Sequence, residues 1–347
     1  MSAPTSIKRT LLTPLYIPGI AKGIAALTGA HASIFMLHRF SCPEEGVRGF
    51  DPAMLRKILS LLRRDHYELL SLYDMFQRLR EARPLKHAVA FTVDDGYFDF
   101  AAVAAPIFVE YDCPVTVFVV SGFLDGKLWL WWDQIEFIFQ NTRRSELLVD
   151  IGGQKLNYPL NSPAARVEAA RDVSARCQDT PTAGWFPFVT NLGRDADVEV
   201  PSAPPRQFEP LSWDEARQLE KNGVAFGPHT VTHPRLSGCS DDLSQLEITT
   251  SWQRMVDELE HPVPIFCYPF GRRCDFGERE IAHVSQTGLW GAVTGYHPTT
   301  IRSGHSCTMA ELCRIPRFPI GNGPLHILQC TSGLENVKAR LRRNAGS

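Results

Sequence analysis

An excess of charge of one sign, closely spaced cysteines and long apolar runs are all missing from this sequence. Its 36 basic and 38 acidic residues nearly cancel to a formal net charge of −2, which argues against a nucleic-acid partner and favours a neutral substrate. The cysteines include no C-x-x-C pair, and several stand in apolar segments that favour small buried thiols. Reduced cysteines are typical of a reducing cytosol, so we expect a cytoplasmic location.

The most apolar stretch near the N-terminus, residues 11–27, is interrupted by two prolines and Lys22. Because a membrane-spanning helix needs ~20 uninterrupted apolar residues, we expect no transmembrane segment. We interpret residues 1–32 as an amphipathic segment that packs on the domain or lies on a surface, with peripheral membrane contact as one use. The basic residues near the C-terminus predict a solvated tail over residues 331–347.

Short apolar runs alternate with segments of helical periodicity along most of the chain. The apolar runs predict buried strands over residues 33–37, 87–93, 114–120, 224–227, 263–268, 289–294 and 312–315. The amphipathic segments predict helices over residues 52–64, 97–111, 213–222, 241–259 and 277–287. Repeated β-α units predict a parallel sheet, open or closed into a barrel, with the active site in the loops after the strands. Residues 127–209 break this rhythm and are interpreted as a partly helical insertion or lid that begins with a tryptophan-rich helix.

Two adjacent carboxylates end the predicted strand 87–93. Asp94 and Asp95 are followed by Gly96, and since consecutive strand residues point to opposite faces, both acids serve one site only if the chain turns there. Gly96 permits that turn. A strand-ending turn whose first aspartate caps the next helix is the alternative interpretation.

A histidine pair follows another predicted strand. His229 and His233 come after the apolar residues 224–226, with Pro228 and Pro234 on either side. The prolines stiffen the backbone and disfavour helix at His233, which indicates a rigid loop. Two imidazoles and one carboxylate are a usual ligand set for a catalytic divalent metal, because they leave positions open for water and substrate. A second carboxylate that stays off the metal can act as general base, so the pattern is typical of a hydrolase.

A third predicted strand ends in an aromatic turn over residues 265–272. An ordinary strand-to-loop junction is one interpretation. The other is a turn that aims a backbone N–H at a developing oxyanion and walls the pocket with aromatic surface. Tyr268 and Phe270 are the candidate residues of this turn.

Together these segments resemble the NodB-homology domain of polysaccharide deacetylases, carbohydrate esterase family four. The residues around Asp94 and Asp95 resemble its T-F-D-D-G motif, the histidine pair its H-S/T-x-x-H motif, and residues 266–271 its R-P-P-Y-G turn, in the same order along the chain. The strand ending at His38 resembles the M-Y-H-R strand that opens many bacterial members. The segment around Trp132 resembles an insertion found in one branch of them.

The resemblance implies a distorted (β/α) barrel over residues 33–330, and it implies that Asp94 is the general base. The implied ligands of one divalent ion, zinc or alternatively cobalt or nickel, are Asp95, His229 and His233. The residues implied around the oxyanion and the substrate are Phe270, Tyr268, Gly96 and Tyr97.

Two residues of the family pattern have no direct match. The arginine that braces the family's base is replaced by Cys267, and our hypothesis is that Arg314 or Arg317 supplies a guanidinium from a neighbouring strand. The family's L-x-x-H general acid has no clear counterpart. The candidates for its role are His297, His305 and His326.

The function that follows from the resemblance is removal of an N-acetyl group from a saccharide of a glycan or glycan precursor. Hydrolysis of a non-sugar amide or a formamide is an alternative, because related barrels can reuse one metal site with a different pocket. A catalytically silent carbohydrate-binding protein is another. The missing general acid favours that last alternative, and the four intact site residues disfavour it.

Overall fold

One parallel β-sheet forms the core of the protein, as seen in a computed structural model that describes residues 12–29, 31–296, 299–321 and 323–337. The strands of the described residues are β1 (Ala32–Leu37), β2 (Glu68–Leu69), β3 (Ala88–Val93), β4 (Val115–Val119), β5 (Glu146–Ile151), β6 (Gln154–Pro159), β7 (Ala225–Pro228), β8 (Phe266–Cys267), β9 (Ala292–Tyr296) and β10 (Ile315–Pro319). Seven of them follow the order β7-β4-β3-β1-β10-β9-β8, β2 pairs with β3, and β5 and β6 form a separate antiparallel pair.

The two end strands of this sheet approach each other and nearly close it into a barrel. Just before β8, the Val263 N–H donates to the carbonyl of Phe226 in β7 at 2.7 Å. The last strand, β10, pairs with β1 so that Phe318 lies beside Phe35, and Phe35 also lies beside Phe91 of β3. The predicted fold class, a distorted (β/α) barrel with parallel strands, is confirmed. Because all barrel strands run in parallel, their carboxyl ends meet at one end of the barrel, where an active site is expected.

Helices surround the sheet and also build the segment between β4 and β7. Their bounds in the described residues are Ile20–Thr28, Pro52–Arg64, Leu72–Arg80, Ala105–Glu110, Ser121–Leu124, Trp131–Asn141, Pro163–Gln178, Trp185–Asp195, Trp213–Lys221, Asp241–Glu258, Glu278–Gln286, Met309–Leu312 and Pro324–Thr331. Short 3-10 turns span Thr13–Tyr16, Pro43–Glu45, Thr182–Gly184, Arg206–Phe208 and Leu236–Gly238, and a π-helical turn spans Phe100–Ala104. No helix in the described parts of the chain is long and apolar enough to cross a bilayer.

Local capping explains where several predicted helices begin. The Asp51 side chain accepts from the Ala53 N–H and Pro52 occupies the first turn, a combination that favours a helix start. Ser212 and Glu215 form a reciprocal capping box at the start of the helix Trp213–Lys221. Both caps can be recognised in the sequence. The starts of these two helices therefore agree with the predicted starts at residues 52 and 213.

Residues 131–200 contain more regular structure than the sequence predicted. After the tryptophan-rich helix Trp131–Asn141 come the β5–β6 hairpin and the helices Pro163–Gln178 and Trp185–Asp195. They share a core of their own, in which the rings of Trp131 and Trp185 lie 4.9 Å apart between centroids. Residues 1–11 and the basic residues from 338 onward lie outside the described residues.

Candidate metal centre

Asp94 and Asp95 lie just beyond the carboxyl end of β3, where the chain turns sharply. The Asp94 N–H still donates to the Leu37 carbonyl at 2.9 Å, but Asp95 has φ 76° and Gly96 has φ 88°. These two left-handed residues redirect the chain, which lets both carboxylates face one site despite the alternation of a strand. A Cβ on Gly96 would lie 2.9 Å from a methyl carbon of Val119, so glycine is required there for packing as well as for φ.

The histidine pair lies on a loop that follows β7, held in a strained backbone conformation. The His229 N–H donates to the Val119 carbonyl at 3.0 Å. Thr230 has φ 67° and His233 has φ 57°, a left-handed conformation that is costly for a β-branched residue. The Thr230 hydroxyl accepts from the His233 N–H at 3.0 Å. Strain of this kind persists where the surrounding structure imposes it, and it occurs often at functional sites.

Three buried side chains, from Asp95, His229 and His233, turn their ligand atoms towards one point. The Asp95 Oδ1 lies 3.7 Å from His229 Nε2 and 3.6 Å from His233 Nε2. Two atoms that each bind one ion at ~2.1 Å lie at most about 4.2 Å apart, so these distances fit a shared divalent ion. The His229 Nδ1–H donates to the Cys267 carbonyl at 2.8 Å, which leaves Nε2 free to bind a metal.

The electrostatics of this trio also suit a cation. Burial lowers the pKa of His229 to about 4 and lowers that of His233 well below its ordinary value, so both imidazoles are neutral as metal ligands must be. Burial, with the nearby charges of Asp94 and Asp133, raises the pKa of Asp95 well above its usual range. A buried carboxylate in that setting requires a positive charge beside it to remain ionised.

Asp94 forms a buried ion pair with Arg317 of β10. The guanidinium donates to both carboxylate oxygens, at 2.7 and 2.8 Å, and it is fixed further by the Thr92 hydroxyl at 2.9 Å and the Thr294 carbonyl at 2.8 Å. Burial alone would raise the pKa of Asp94, but Arg317 outweighs it and holds that pKa well below the ordinary range. Cys267, in the position of the family's arginine, contacts this guanidinium through its Sγ at 3.1 Å.

Arg314, the other candidate for that position, lies elsewhere. Its side chain is exposed and pairs with Glu278 at 2.5 Å. It precedes β10, whereas Arg317 lies within the strand and points into the barrel. The hypothesis that one of the two residues braces the base therefore applies to Arg317 and is wrong for Arg314.

The centre opens into a cleft of about 600 Å³. Trp132 and Phe270 line this cleft beside the metal trio, which is the set of Asp95, His229 and His233. Both aromatic rings lie edge to face against the His233 ring, with centroids 4.8 and 4.9 Å away. The opposite wall includes residues 46–48, and the helix Pro163–Gln178 supplies further lining. The cleft therefore combines the metal trio with aromatic surface from two places, Trp132 in the segment between β4 and β7 and Phe270 in the turn after β8.

Gly96, Tyr97 and Tyr268 were also predicted around the oxyanion and the substrate, and the structure places them differently from Phe270. Gly96 and Tyr97 are not among the residues that line the cleft, and the Tyr97 hydroxyl donates to Asp133 at 2.7 Å. Tyr268 contributes to the lining, but its ring is buried and stacks on Phe276 at 3.9 Å. The structure therefore does not bring Gly96 and Tyr97 to the cleft surface, whereas Tyr268 lines the cleft with a ring that is otherwise buried.

The histidine nearest to Asp94 outside the metal trio is His38, at the end of β1. Its Nε2 lies 3.9 Å from Asp94 Oδ2, and its side chain is 49% exposed in the cleft. His305 lines a different cavity, and His326 contacts the Pro319 carbonyl at 3.3 Å. Neither of these two lines the cleft, so they are wrong as general-acid candidates, and His297 lies outside the described residues. The resemblance of β1 to the family's opening strand was the signal that could have selected His38.

Solved structures with the same overall fold were found by comparison. The deacetylase PplD of Streptococcus pyogenes, solved in complex with acetate, is 18% identical, covers 86% of this chain and 97% of its own, and gives a TM-score of 0.55. IcaB from Ammonifex degensii is 12% identical over 88% of this chain and 98% of its own, with a TM-score of 0.53. A polysaccharide deacetylase from Bacillus cereus, BC0361, is 13% identical over 87% of this chain and 68% of its own, with a TM-score of 0.51.

Sequence comparison matches a family model over part of the chain and no individual curated protein. No curated protein matches the sequence significantly. The family model for polysaccharide deacetylase matches residues 182–289, a range that contains the His229 and His233 loop and the turn at Phe270. The chain is therefore similar to the polysaccharide deacetylase family over this range, in agreement with the motifs at Asp94 and Asp95 and with the shared barrel.

Proposed function

We propose that the protein is a metal-dependent hydrolase that removes N-acetyl groups from a sugar of a glycan or glycan precursor. The observation that carries the proposal is the pairing of a buried Asp95, His229 and His233 trio with a separate, ionised Asp94 beside it. The trio fits one divalent ion, for which we propose zinc, with cobalt or nickel as alternatives. Such an ion would polarise the amide carbonyl and lower the pKa of a water molecule bound there.

Asp94 acts as the general base in this mechanism. Arg317 keeps its carboxylate ionised and fixes both oxygens in place, so it can accept the proton of the attacking water without first losing one of its own. The bidentate contact also prevents Asp94 from rotating towards the trio. The two adjacent acids therefore have separate roles, with Asp95 as ligand and Asp94 as base.

His38 is the residue that we assign to protonation of the leaving nitrogen. It lines the cleft next to Asp94 and is not part of the metal trio. Desolvation lowers the pKa of His38, although Asp94 opposes that effect, so its protonated form is a stronger acid than a free imidazolium. A proton delivered from this position to the nitrogen as the C–N bond breaks lets the nitrogen leave as a neutral amine, with acetate as the other product.

The turn at Phe270 supplies the oxyanion contact. Phe270 has φ 59°, lines the cleft, and its main-chain N–H has no acceptor among the described residues. A free N–H in that place can donate to the oxygen that gains charge as water attacks. The Trp132 and Phe270 rings offer apolar faces for a sugar ring, and a volume of about 600 Å³ is within the range of small-ligand sites.

The test begins with elemental analysis of the purified wild type and of His229→Ala. Wild-type protein should contain about one divalent ion per chain, and the variant should lose it because one of three ligands is missing. The same preparations are then assayed for acetate release from N-acetylglucosamine oligomers. Wild-type protein that binds no metal would overturn the mechanism.

Asp94→Asn separates the enzyme from a silent carbohydrate-binding protein. The variant should keep its metal and lose turnover, because the amide cannot accept the proton of water. Metal binding without acetate release by the wild type would instead direct the search to non-sugar amides and formamides. Unchanged glycan affinity in Asp94→Asn, with no turnover in either protein, would favour the binding role.

A further inference from the structure

The two histidines of the metal trio are held in different ways. The His229 ring is fixed by its hydrogen bond to the Cys267 carbonyl. The His233 Nδ1 is buried and has no partner within the described residues, so no hydrogen bond to the ring sets its direction. The His233 position must therefore come from ring packing and from the backbone of the loop, which is left-handed at both Thr230 and His233.

A buried glutamate on a neighbouring helix holds the middle of this loop. Glu247 lies on Asp241–Glu258 and is 4% exposed. One carboxylate oxygen accepts from the N–H groups of Val231 and Thr232 at 2.7 and 2.9 Å, and the other accepts from the Thr232 hydroxyl at 2.6 Å. No basic side chain in the described ranges forms an ion pair with Glu247, so these donors of the loop are its partners.

The opposite side of the same loop is also fixed. The Ser121 N–H donates to the Thr230 carbonyl at 3.1 Å, and the Gly122 N–H donates to the Val231 carbonyl at 3.0 Å. The carbonyls thus bind the segment after β4, while the amides bind Glu247. A carboxylate or a comparable acceptor at position 247 is what satisfies these two part-buried N–H groups together.

We propose that Glu247 is a positioning residue for metal binding, which acts through the 230–233 loop and never contacts the ion. Its hydrogen bonds stabilise the strained backbone that presents His233 to Asp95, so they pre-organise the trio before the ion binds. Outer residues that orient metal ligands typically affect metal affinity about 10–100-fold. The inference rests on the proposed function in that it requires the trio to bind a divalent ion.

The chain offers a matched control for this role. Glu280 is also buried, at 2% exposed, and it accepts from the Gly277 N–H at 2.7 Å and from Arg279 at 2.6 Å. These contacts cap its own helix, and a further bond from the Ser244 hydroxyl at 3.2 Å joins it to the Asp241–Glu258 helix, but none of them involves the 230–233 loop. Glu280→Ala should therefore reduce stability without a specific effect on metal binding.

The conservative variant Glu247→Gln distinguishes positioning from a general loss of structure. A glutamine oxygen can accept from both backbone N–H groups while its amide donates to the Thr232 hydroxyl, so the loop contacts can be kept. Glu247→Ala removes all of them. Thr232→Val, which removes only the hydroxyl contact, provides a milder variant in case Glu247→Ala does not fold.

The experiment titrates metal-free full-length protein with Zn²⁺ in competition with a chromophoric chelator. We expect Glu247→Ala to bind about 10–100-fold more weakly than wild type, Thr232→Val to lose less, and Glu247→Gln and Glu280→Ala to remain within a few-fold. Saturated with Co²⁺, Glu247→Ala should also show an altered visible absorption spectrum. Wild-type affinity in Glu247→Ala, or an equal loss in Glu280→Ala, would overturn the proposal.

Amide hydrogen exchange of the metal-free protein distinguishes a failure of this proposal from a failure of the proposed function. Exchange at Val231 and Thr232 should be faster in Glu247→Ala than in Glu280→Ala, because their N–H groups lose their acceptor. If wild type binds no ion, the proposed function fails, whereas equal protection in both variants shows that Glu247 does not hold the loop.

Discussion

Replacement of Arg317 by methionine should leave the buried carboxylate of Asp94 without its counter-charge. The pair forms two charge-assisted hydrogen bonds at 2.7 and 2.8 Å, and the two side chains are 1% and 4% exposed. Loss of one partner of a buried pair costs roughly 3–5 kcal/mol of unfolding free energy, since the other charge remains desolvated. Methionine fills most of the space, so a cavity adds little to this loss.

The loss of unfolding free energy in Arg317→Met should depend on pH in a defined direction. In the wild type, Arg317 holds the folded-state pKa of Asp94 below the unfolded value of ~3.9, so the pair's contribution is complete above about pH 4 and is lost as pH falls through the folded pKa. In Arg317→Met, burial dominates and raises the folded-state pKa above the unfolded value. The penalty then grows from about pH 4 upward until the carboxyl is ionised.

Denaturant unfolding of metal-free protein at about pH 5 and about pH 8 measures this difference. Arg314→Met is the control, because Arg314 is exposed and pairs with Glu278, and such a surface change typically alters stability by no more than about 0.5 kcal/mol. Arg317→Met should be destabilised far more than the control at the higher pH and less so at the lower. An equal loss at both pH values, or a loss no larger than that of the control, would refute the reasoning.

Three further predictions concern the surroundings of the base. Gly96→Ala should lower the unfolding free energy by about 1–3 kcal/mol in denaturant titration, because the added Cβ meets Val119 at a φ of 88°; wild-type stability would contradict this. Burial raises the pKa of Asp133 to about 7, so wild-type stability should fall from about pH 4 to neutrality by about 1.4 kcal/mol per unit of pKa shift. Asp133→Asn should remove that slope in pH-dependent unfolding, and an unchanged slope would exclude Asp133 as its source. His38→Gln should lower kcat by about 10²–10⁴ with normal metal content, and unchanged turnover would remove His38 as the acid.

The residues that the sequence could identify are those whose chemistry is local. Asp94 and Asp95 are adjacent, and His229 and His233 stand in one short loop, so four members of the site are visible as two motifs. The alternation of apolar strands and capped helices likewise predicts a parallel sheet, open or closed into a barrel, and the resemblance of the motifs implied the barrel. Each of these signals depends on residues within a few positions of one another, so it can be read directly from the sequence.

The roles of other residues could not be decided from the sequence, because they depend on strand register and on contacts between residues far apart in the chain. Arg314 and Arg317 differ only in whether they lie inside β10, and the predicted strand, 312–315, was placed about three residues too early against Ile315–Pro319. Glu247 stands among other polar residues of a long helix, and its role becomes visible only when that helix lies against the histidine loop. The role of His38 depends on the distance from β1 to Asp94 across the sheet.

The position of β10 has a consequence for the order in which the protein can become active during synthesis. This strand is the last of the described chain, yet it lies inside the sheet between β1 and β9. Until it emerges from the ribosome, both of those neighbours have an unpaired edge of the kind that promotes association between chains. Arg317 arrives on the same strand, 223 residues after Asp94. We therefore expect a nascent chain to lack the guanidinium that fixes Asp94, the proposed base, until its sheet is complete, so that the final strand both covers the aggregation-prone edges and completes the site.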